Sequence, residues 1–288
     1  MLKWQKFGER ITEPCALVLG AFDGLHLGHL ALLKAAKKTL LPVAVTTFSG
    51  GKGKQLFTCA ERKKIFADAG IDFVCEIPFT EELKNTSAED FLAQIFQSIE
   101  VRATVCGEDF KFGREALGTP ALLKTYSQPL TVIKTVEKNG EKVATSRCKQ
   151  LVLEHRFTEL KSLCDGMGYF IGGTVEHGRK VGRTYDFPTL NLSIPAEKLL
   201  PDDGVFGGVA VTPKGVFKTI INVGSRPTFG VEERKIEAHL LGFCGDLYGA
   251  EVQVYPTRFL RPITQFSSAE ALKAQLQKDK RSLEENDD

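Results

Sequence analysis

The chain has 288 residues, of which 42% are apolar and 26% charged, and its formal net charge is +2. These values are ordinary for a soluble globular protein, and the length suits two domains. So small a net charge favours neither nucleic acid nor a membrane surface as a partner. No run of eighteen apolar residues occurs, and the first ten residues lack a signal-peptide core. We therefore expect a cytoplasmic protein, in which self-association stays open.

Seven cysteines are scattered along the chain, and none forms a Cys-x-x-Cys pair. An odd number at irregular spacing argues against a disulfide framework and against a zinc site. We expect most of these cysteines to be small core residues without a catalytic role.

The first half of the chain alternates predicted strands with predicted helices. Strands are predicted at 16–20, 41–48, 73–77, 103–107 and 130–134, and helices at 30–38, 59–69, 88–100 and 120–127. This alternation predicts a doubly wound parallel sheet that binds its ligands at the carboxyl ends of the strands. A linking helix is predicted at 151–164.

From Tyr169 onward, short strands separated by turns replace this pattern. Their spacing predicts a small antiparallel β-barrel, with strands at 170–175, 205–211, 216–223, 235–243 and 251–255. The sequence Ser-Ser-Ala-Glu at 267–270 is a predicted capping box that opens a final helix, from Ser268 to Lys280. The predicted fold class is α/β plus β, with domains at 1–151 and 165–288.

The segment from Gly20 to His29 joins a buried strand to a helix. Its glycines allow the backbone to approach a ligand closely, and the helix N-terminus presents N–H groups and a positive dipole end to an anion. His26 and His29 share one face of the first turn and can stabilise charge on a polyphosphate. The segment is thus a predicted phosphate site, with contacts from Gly20, Phe22, Asp23, Gly24 and Gly28.

A glycine-rich turn alone is common in α/β proteins, and an isolated histidine is usually a satisfied polar group. Together with its strand and helix, however, His-x-Gly-His resembles the signature of the nucleotidyltransferase superfamily. Members of that superfamily attack the α-phosphate of ATP and release pyrophosphate. The segment lacks the Lys-Ser/Thr ending of a P-loop, which disfavours a P-loop kinase.

A second glycine-rich stretch, at 173–183, precedes Phe-Pro-Thr-Leu-Asn at 187–191. Backbone N–H groups of such a flap can bind phosphates, and Gly178 and Gly182 are assigned to this role. Thr189 and Asn191 offer neutral oxygens, which suit Mg²⁺ beside phosphate and water. Taken alone, the same segment could equally be a plain turn.

Four further motifs complete the pattern: Gly107-Glu-Asp-Phe-Lys-Phe-Gly113, Asn222-Val-Gly-Ser-Arg-Pro-Thr-Phe229, Glu237-Ala-His-Leu-Leu-Gly-Phe243 and Asp246-Leu-Tyr-Gly249. In order and spacing, nearly the whole chain resembles the bacterial bifunctional riboflavin kinase/FMN adenylyltransferase (FAD synthetase) family. The resemblance implies a nucleotidyltransferase domain followed by a riboflavin kinase barrel. It also implies ATP, riboflavin, FMN and FAD as substrates or products, with Mg²⁺ as the cofactor.

In the kinase half, the resemblance implies that Thr189 and Asn191 hold Mg²⁺ and the ATP phosphates. Glu237 would be the base that accepts the proton of the ribityl terminal hydroxyl. Without the resemblance, Glu237 is more simply an outward-facing strand residue. Arg261 is assigned to the flavin, although it could also be a surface cation.

In the adenylyltransferase half, the resemblance implies that His26 and His29 bind the ATP phosphates and stabilise the departing pyrophosphate. Asp109 would lie beside the flavin or the nucleotide. As an alternative, Asp109 could simply form a turn.

Two segments depart from the family pattern. Phe48-Ser-Gly-Gly-Lys-Gly-Lys54 replaces Phe-Asp-Pro-His-Pro, and Val143-Ala-Thr-Ser-Arg-Cys-Lys149 replaces Ile-Ser-Ser-Thr-x-Ile-Arg. Ser146 and Lys149 are assigned to ATP phosphates, but lysine is a single-point donor where arginine makes a bidentate contact. Two alternatives therefore stay open: a chain with only one active half and a weakened adenylyltransferase, or a regulatory protein that binds flavin or nucleotide.

Overall fold

The computed structural model describes residues 1–50, 53–127, 129–177, 189–228 and 231–285. The chain divides into two compact units, Met1–Arg147 with Leu163–Asp165, and Cys148–Ser162 with Gly166–Asp288. Among the helices of the described ranges, none is both long enough and apolar enough to cross a membrane.

The first unit contains a parallel sheet flanked by helices. Its strands are β1 (Lys3–Lys6), β2 (Ile11–Val18), β3 (Val43–Ser49), β4 (Phe73–Pro78), β5 (Ile99–Gly107) and β6 (Leu130–Ile133). Its helices are α1 (Leu27–Lys37), α2 (Cys59–Asp68), α3 (Glu81–Asn85), α4 (Ala88–Ser98) and α5 (Pro120–Tyr126). A small hairpin follows, formed by β7 (Glu137–Lys138) and β8 (Glu141–Lys142).

The strand order is β1-β4-β3-β2-β5-β6, and every neighbouring pair is parallel. This confirms the predicted doubly wound sheet. The chain adds strands on one side of β2 and then returns to add β5 and β6 on the other. Ligands of such sheets bind at this point of reversal, at the carboxyl ends of the strands. The side chains at 15–19 are at most 1% exposed, as expected for a strand covered on both faces.

Two helices follow the sheet, α6 (Thr145–Leu153) and α7 (Phe157–Leu163). The prediction of one helix over 151–164 is therefore wrong. His155 lies between the two helices with φ of +59°, a left-handed conformation that a right-handed helix cannot contain. The imidazole of His155 stacks on the Phe259 ring, with centroids 4.8 Å apart. This aromatic contact lies at the break between the two helices.

The second unit is a closed antiparallel barrel, as predicted. Its strands are β9 (Ile171–Glu176), β10 (Leu190–Ser193), β11 (Gly204–Thr212), β12 (Gly215–Thr228), β13 (Val231–Leu240) and β14 (Glu251–Arg261). Around the barrel their order is β10-β13-β12-β11-β14-β9. At Gly208 a Cβ atom would lie 2.1 Å from the Tyr255 carbonyl oxygen, so only glycine allows β11 and β14 to approach this closely.

The last helix, α8 (Ala269–Glu285), is tied to the barrel by a buried ion pair. The Arg261 guanidinium donates to both carboxylate oxygens of Asp279, at 2.9 to 3.2 Å. Gln275 donates a further hydrogen bond to Asp279 at 2.7 Å. The Asp279 side chain is only 4% exposed, so these donors replace the water that its carboxylate has lost.

We expect Arg261→Met to loosen α8, because the buried Asp279 carboxylate would lose its charged partner at a cost of about 2 to 3 kcal/mol. Amide hydrogen exchange in α8 should then be roughly 30-fold faster or more. Lys280→Met is the matched control, since it removes an exposed pair with Glu284 on the same helix. Exchange rates that rise equally in both variants would contradict the anchoring role of Arg261.

Candidate active sites

The two histidines of the first unit form one stacked pair at the start of α1. Their ring centroids are 3.7 Å apart and their planes differ by 17°. His26 is the N-cap residue of α1, and its Nδ1 accepts the backbone N–H of His29 at 3.3 Å. In the neutral ring the proton therefore lies on Nε2, which is 3.4 Å from the Thr145 hydroxyl.

Burial keeps both rings neutral. It lowers the pKa of His26 to about 4. Burial also holds the pKa of His29 well below its usual range, and the neighbouring His26 lowers it further. At neutral pH the His26 ring therefore offers an Nε2–H donor without net charge. Among the described residues, His29 Nδ1 has no hydrogen-bond partner.

The segment before the histidines follows a constrained path. Phe22 has φ of +46° and Gly24 φ of +121°. The buried Phe22 ring stacks on His29 with centroids 4.4 Å apart. A Cβ atom at Gly28 would lie 3.0 Å from His26 Cε1, which the missing side chain avoids. Gly20 and Thr46 exchange two hydrogen bonds, at 3.1 and 2.8 Å, which hold the end of β2 against β3.

Asp23, a predicted phosphate contact, has structural partners. Its carboxylate accepts the backbone N–H groups of Leu56 at 3.0 Å and Phe57 at 3.2 Å. These bonds join the turn after β2 to the segment before α2. A carboxylate that accepts backbone N–H groups fixes the path of the chain. The contact of Asp23 with phosphate stays a prediction.

A cavity of about 220 Å³ opens beside the histidines, next to the point where the sheet order reverses. Its lining includes five predicted site residues, Gly20, His26, Gly28, His29 and Asp109. The lining also contains Thr145, from the 143–149 segment, and three residues that sequence reasoning missed, Lys134, Thr135 and Lys142. Lys134 could have been predicted from its position, because it directly follows the carboxyl end of β6.

Across this cavity, Lys142 of β8 makes an ion pair and hydrogen bond with Asp109. The hydrogen bond and the charge of Lys142 hold the pKa of Asp109 below its usual range, against the opposing effect of burial. Both side chains are about half exposed, so the pair is weak and can be opened by a competing charge.

The remaining predicted phosphate contacts lie on α6. Ser146 is exposed and Lys149 is partly buried. Lys149 is one helical turn beyond Thr145, a spacing that places both on one helix face. The guanidinium of Arg147, between them, lies 3.3 Å from the Glu141 carboxylate.

In the second unit, polar side chains form a row across neighbouring strands of the barrel. Asn191 on β10 is paired with Glu237 on β13, and Glu237 is paired with Asn222 on β12. Directly opposite residues point to the same face, with Cβ atoms about 5 Å apart. The neighbours Ile236 and Ala238 are fully buried, which places Glu237 on the outer face of the barrel.

Glu176 extends this row on the other side, because it is paired with Asn191. Thr189 precedes Asn191 by two residues, the spacing that puts side chains on one face of an extended chain. The strand register thus brings Asn191, one of the predicted Mg²⁺ ligands, opposite the predicted base Glu237. Gly178 and Gly182, the predicted phosphate contacts of this half, lie outside the described residues.

Mg²⁺ takes oxygen ligands, keeps several waters and is usually held by few protein groups together with phosphates. The hydroxyl of Thr189, the amide oxygen of Asn191 and the Glu237 carboxylate beside it fit that chemistry. In the described part of the chain, no three His, Cys, Asp or Glu residues cluster as a metal site.

Arg261, predicted to contact the flavin, directs its guanidinium to Asp279 on α8. Phe266 lies over the same guanidinium, with its ring centroid 5.6 Å away. Asn222 and Glu176 were missed as site candidates, because only the pairing of β12 with β13 and of β9 with β10 places them in the polar row.

We expect Lys142→Met to raise the pKa of Asp109, since the variant loses both the hydrogen bond and the positive charge that lower it. An NMR titration of the aspartate side-chain carbons measures this directly. Lys138→Met removes the same charge from the other strand of the hairpin and should leave the Asp109 titration unchanged. An unaltered Asp109 midpoint in Lys142→Met would rule out this ion pair in solution.

Comparisons with known proteins agree with this division of sites. The FAD synthetase family model matches residues 8–147, and the riboflavin kinase family model matches residues 165–286. A "Bifunctional riboflavin kinase/FMN adenylyltransferase" of Bacillus subtilis (strain 168) is 30% identical over 287 residues, which cover 92% of this chain and 90% of that protein. The protein of the same name from Escherichia coli (strain K12) is 29% identical over 295 residues, covering 95% and 93%.

Among solved structures, one described as a macrolide-efflux protein from Streptococcus pneumoniae is 27% identical to this chain. Its TM-score is 0.86, and the match covers 98% of each chain. That description concerns the Streptococcus protein. The structural similarity supports the architecture of both units described above. The matches to both family models and to the full-length relatives confirm the resemblance in the motifs: the chain belongs to the bifunctional riboflavin kinase/FMN adenylyltransferase family.

Proposed function

We propose that the chain phosphorylates riboflavin to FMN with one ATP and then adenylylates FMN with a second ATP, giving FAD and pyrophosphate. The observation that carries this proposal is that each unit holds its own set of phosphate-handling residues. The stacked histidines lie in the unit matched by the FAD synthetase family, and the Asn191–Glu237 row lies in the unit matched by the riboflavin kinase family.

In the adenylyl transfer, a phosphate oxygen of FMN attacks the α-phosphate of ATP, and pyrophosphate leaves. Negative charge shifts onto the leaving oxygens as the bond breaks. The neutral His26 ring carries an Nε2–H at the cavity and would donate to this charge. Gly28 and His29, in the first turn of α1, line the same cavity, so the positive dipole end of the helix would add to this stabilisation.

Lys134 and Lys142 are the cationic side chains that line this cavity. Because the histidines are neutral, these lysines would supply the positive charge that a triphosphate requires. The Asp109–Lys142 pair would open when a phosphate competes for the lysine. Asp109 would then be available to the ribityl or ribose hydroxyls, which donate hydrogen bonds to carboxylates.

In the kinase step, Glu237 would accept the proton of the ribityl terminal hydroxyl while that oxygen attacks the γ-phosphate of ATP. Asn191 and Thr189 would hold Mg²⁺, which neutralises phosphate charge when bound. The position of Glu237 directly opposite Asn191 supports this pairing of base and phosphate site. We also propose a cytoplasmic location, because none of the seven cysteines, all in the described ranges, forms a disulfide.

The histidine assignment is tested by His26→Asn. Asparagine is a good N-cap, so α1 should keep its start while the Nε2–H donor is lost. FAD formation from FMN should fall by about 10² to 10³, the cost of removing one transition-state donor. FMN formation from riboflavin should not change. Chromatographic separation of FMN from FAD measures both steps, and near wild-type FAD formation in this variant would exclude His26 from the reaction.

The base assignment is tested by Glu237→Gln, which keeps the size of the side chain and removes its ability to accept a proton. We expect FMN formation to fall by at least about 10² while riboflavin still binds, because general-base catalysis contributes this much. Glu251→Gln, on an exposed barrel position, is the control. FMN formation at the wild-type rate in Glu237→Gln would show that another group removes the proton. A wild-type protein that forms FMN from riboflavin but no FAD from FMN, or the reverse, would favour a chain with one active half.

A further inference from the structure

We propose that Arg62 and Thr47 are positioning residues for the histidine pair of the adenylyltransferase site. The inference rests on the role proposed for His26 and His29, and it extends that role to two residues that do not line the cavity. The contacts run from Arg62 on α2, through Thr47 on β3, to Phe22, whose ring packs on His29.

Arg62 lies in the interior of the first unit, where its side chain is 1% exposed. One guanidinium nitrogen donates to the Phe48 carbonyl and to the Gln55 side-chain oxygen, both at 2.9 Å. The other donates to the Thr47 hydroxyl. Arg62 Nε has no hydrogen-bond partner among the described residues. Both terminal nitrogens do donate to fixed acceptors, so the end of the side chain holds a defined geometry beside β3.

The direction of the hydrogen bonds follows from the chemistry of the two side chains. A guanidinium has only donors, so the Thr47 oxygen must accept from Arg62. The single hydroxyl proton of Thr47 is then left for the carbonyls of Ala21, at 3.0 Å, and Phe22, at 3.2 Å. Arg62 thereby orients Thr47 toward the turn after β2.

Phe22 is the residue whose conformation needs this support. Its φ of +46° is unfavourable for a residue with a Cβ atom, and such conformations persist only where the surroundings impose them. The Thr47 hydroxyl holds the Phe22 carbonyl, and the buried Phe22 ring packs 4.4 Å from the His29 ring. His29 in turn stacks on His26 at 3.7 Å. A shift of Phe22 would therefore displace both imidazoles.

The test compares two substitutions at Thr47, which is fully buried. Thr47→Val keeps the shape and removes the hydroxyl, whereas Thr47→Ser keeps the hydroxyl and removes a methyl group. We expect Thr47→Val to lower kcat for FAD formation by about 10- to 100-fold with KM for FMN changed less than about threefold, since misplaced catalytic groups cost this much. Thr47→Ser should keep kcat within about threefold. Lys64→Met, at an exposed position of α2, should match the wild type.

A second measurement does not depend on activity. In the wild type, the His29 ring lies between the rings of Phe22 and His26, so its Cε1–H resonance should show a large ring-current shift. In Thr47→Val this resonance should move, and in Thr47→Ser it should stay. Arg62→Lys should move the same resonance, because an ammonium cannot make both sets of contacts.

Three results would overturn the inference: a Thr47→Ser variant as slow as Thr47→Val, a Thr47→Val variant with wild-type kcat, or an unmoved His29 resonance in Thr47→Val. If Thr47 served only to fill the core, Thr47→Ser would lower kcat at least as much as Thr47→Val. If His29→Ala formed FAD at the wild-type rate, the proposed role of the histidine would fail, and the resonance in Thr47→Val would still decide whether Thr47 positions the ring.

Discussion

The hydrogen bond from the His29 backbone N–H to His26 Nδ1 links helix formation to the chemistry of the first unit. It caps α1, it selects the ring tautomer that carries the proton on Nε2, and it helps hold the two imidazoles in contact. A protonated His26 could not accept this bond, so burial and capping both favour the neutral ring. A three-residue spacing of histidines at a helix start thus gives an uncharged ring donor at His26, beside a cavity that Lys134 and Lys142 also line.

The structure shows which contacts lie beside one of the segments that depart from the family pattern. The glycine- and lysine-rich segment at 48–54 lacks the family's proline and histidine, but the described residues beside it have defined contacts. Arg62 donates to the Phe48 carbonyl at 2.9 Å, and the Asp23 carboxylate accepts the Leu56 and Phe57 N–H groups. These contacts do not require the replaced residues.

The architecture of both units could be predicted from the sequence, because the parallel sheet and the barrel each have a local pattern of strands, helices and turns. Element ends were less accurate: β2 begins at Ile11, before the predicted start at 16, and the edge strand β1 was missed. The polar sequence Lys-Trp-Gln-Lys gives β1 no buried pattern. His155 broke a predicted helix through a left-handed backbone angle that the pattern of apolar residues does not encode.

Site residues within short sequence motifs could be predicted, whereas those that depend on distant contacts could not. The histidines and the Thr189 to Asn191 segment lie in short motifs, so the sequence alone could propose them. Lys142 and Arg62 could not be found in this way, because their contacts are distant in the chain. Lys142 pairs with Asp109, and Arg62 reaches Phe22 only through Thr47. Their roles depend on which strands lie side by side, and only the folded sheet decides that.

The kinase site depends on strand register more than on any single side chain. Glu237 is opposite both Asn191 and Asn222 only in the register that also turns Ile236 and Ala238 into the barrel core. A slip of one residue between β10 and β13 would turn Glu237 inward and expose apolar side chains, at a large cost in hydrophobic burial. The packing of the barrel core therefore also fixes the polar row that we propose as the kinase site. Because the buried and the polar faces alternate along the same strand, the stability of the barrel and the geometry of this proposed site are specified by one pattern of residues.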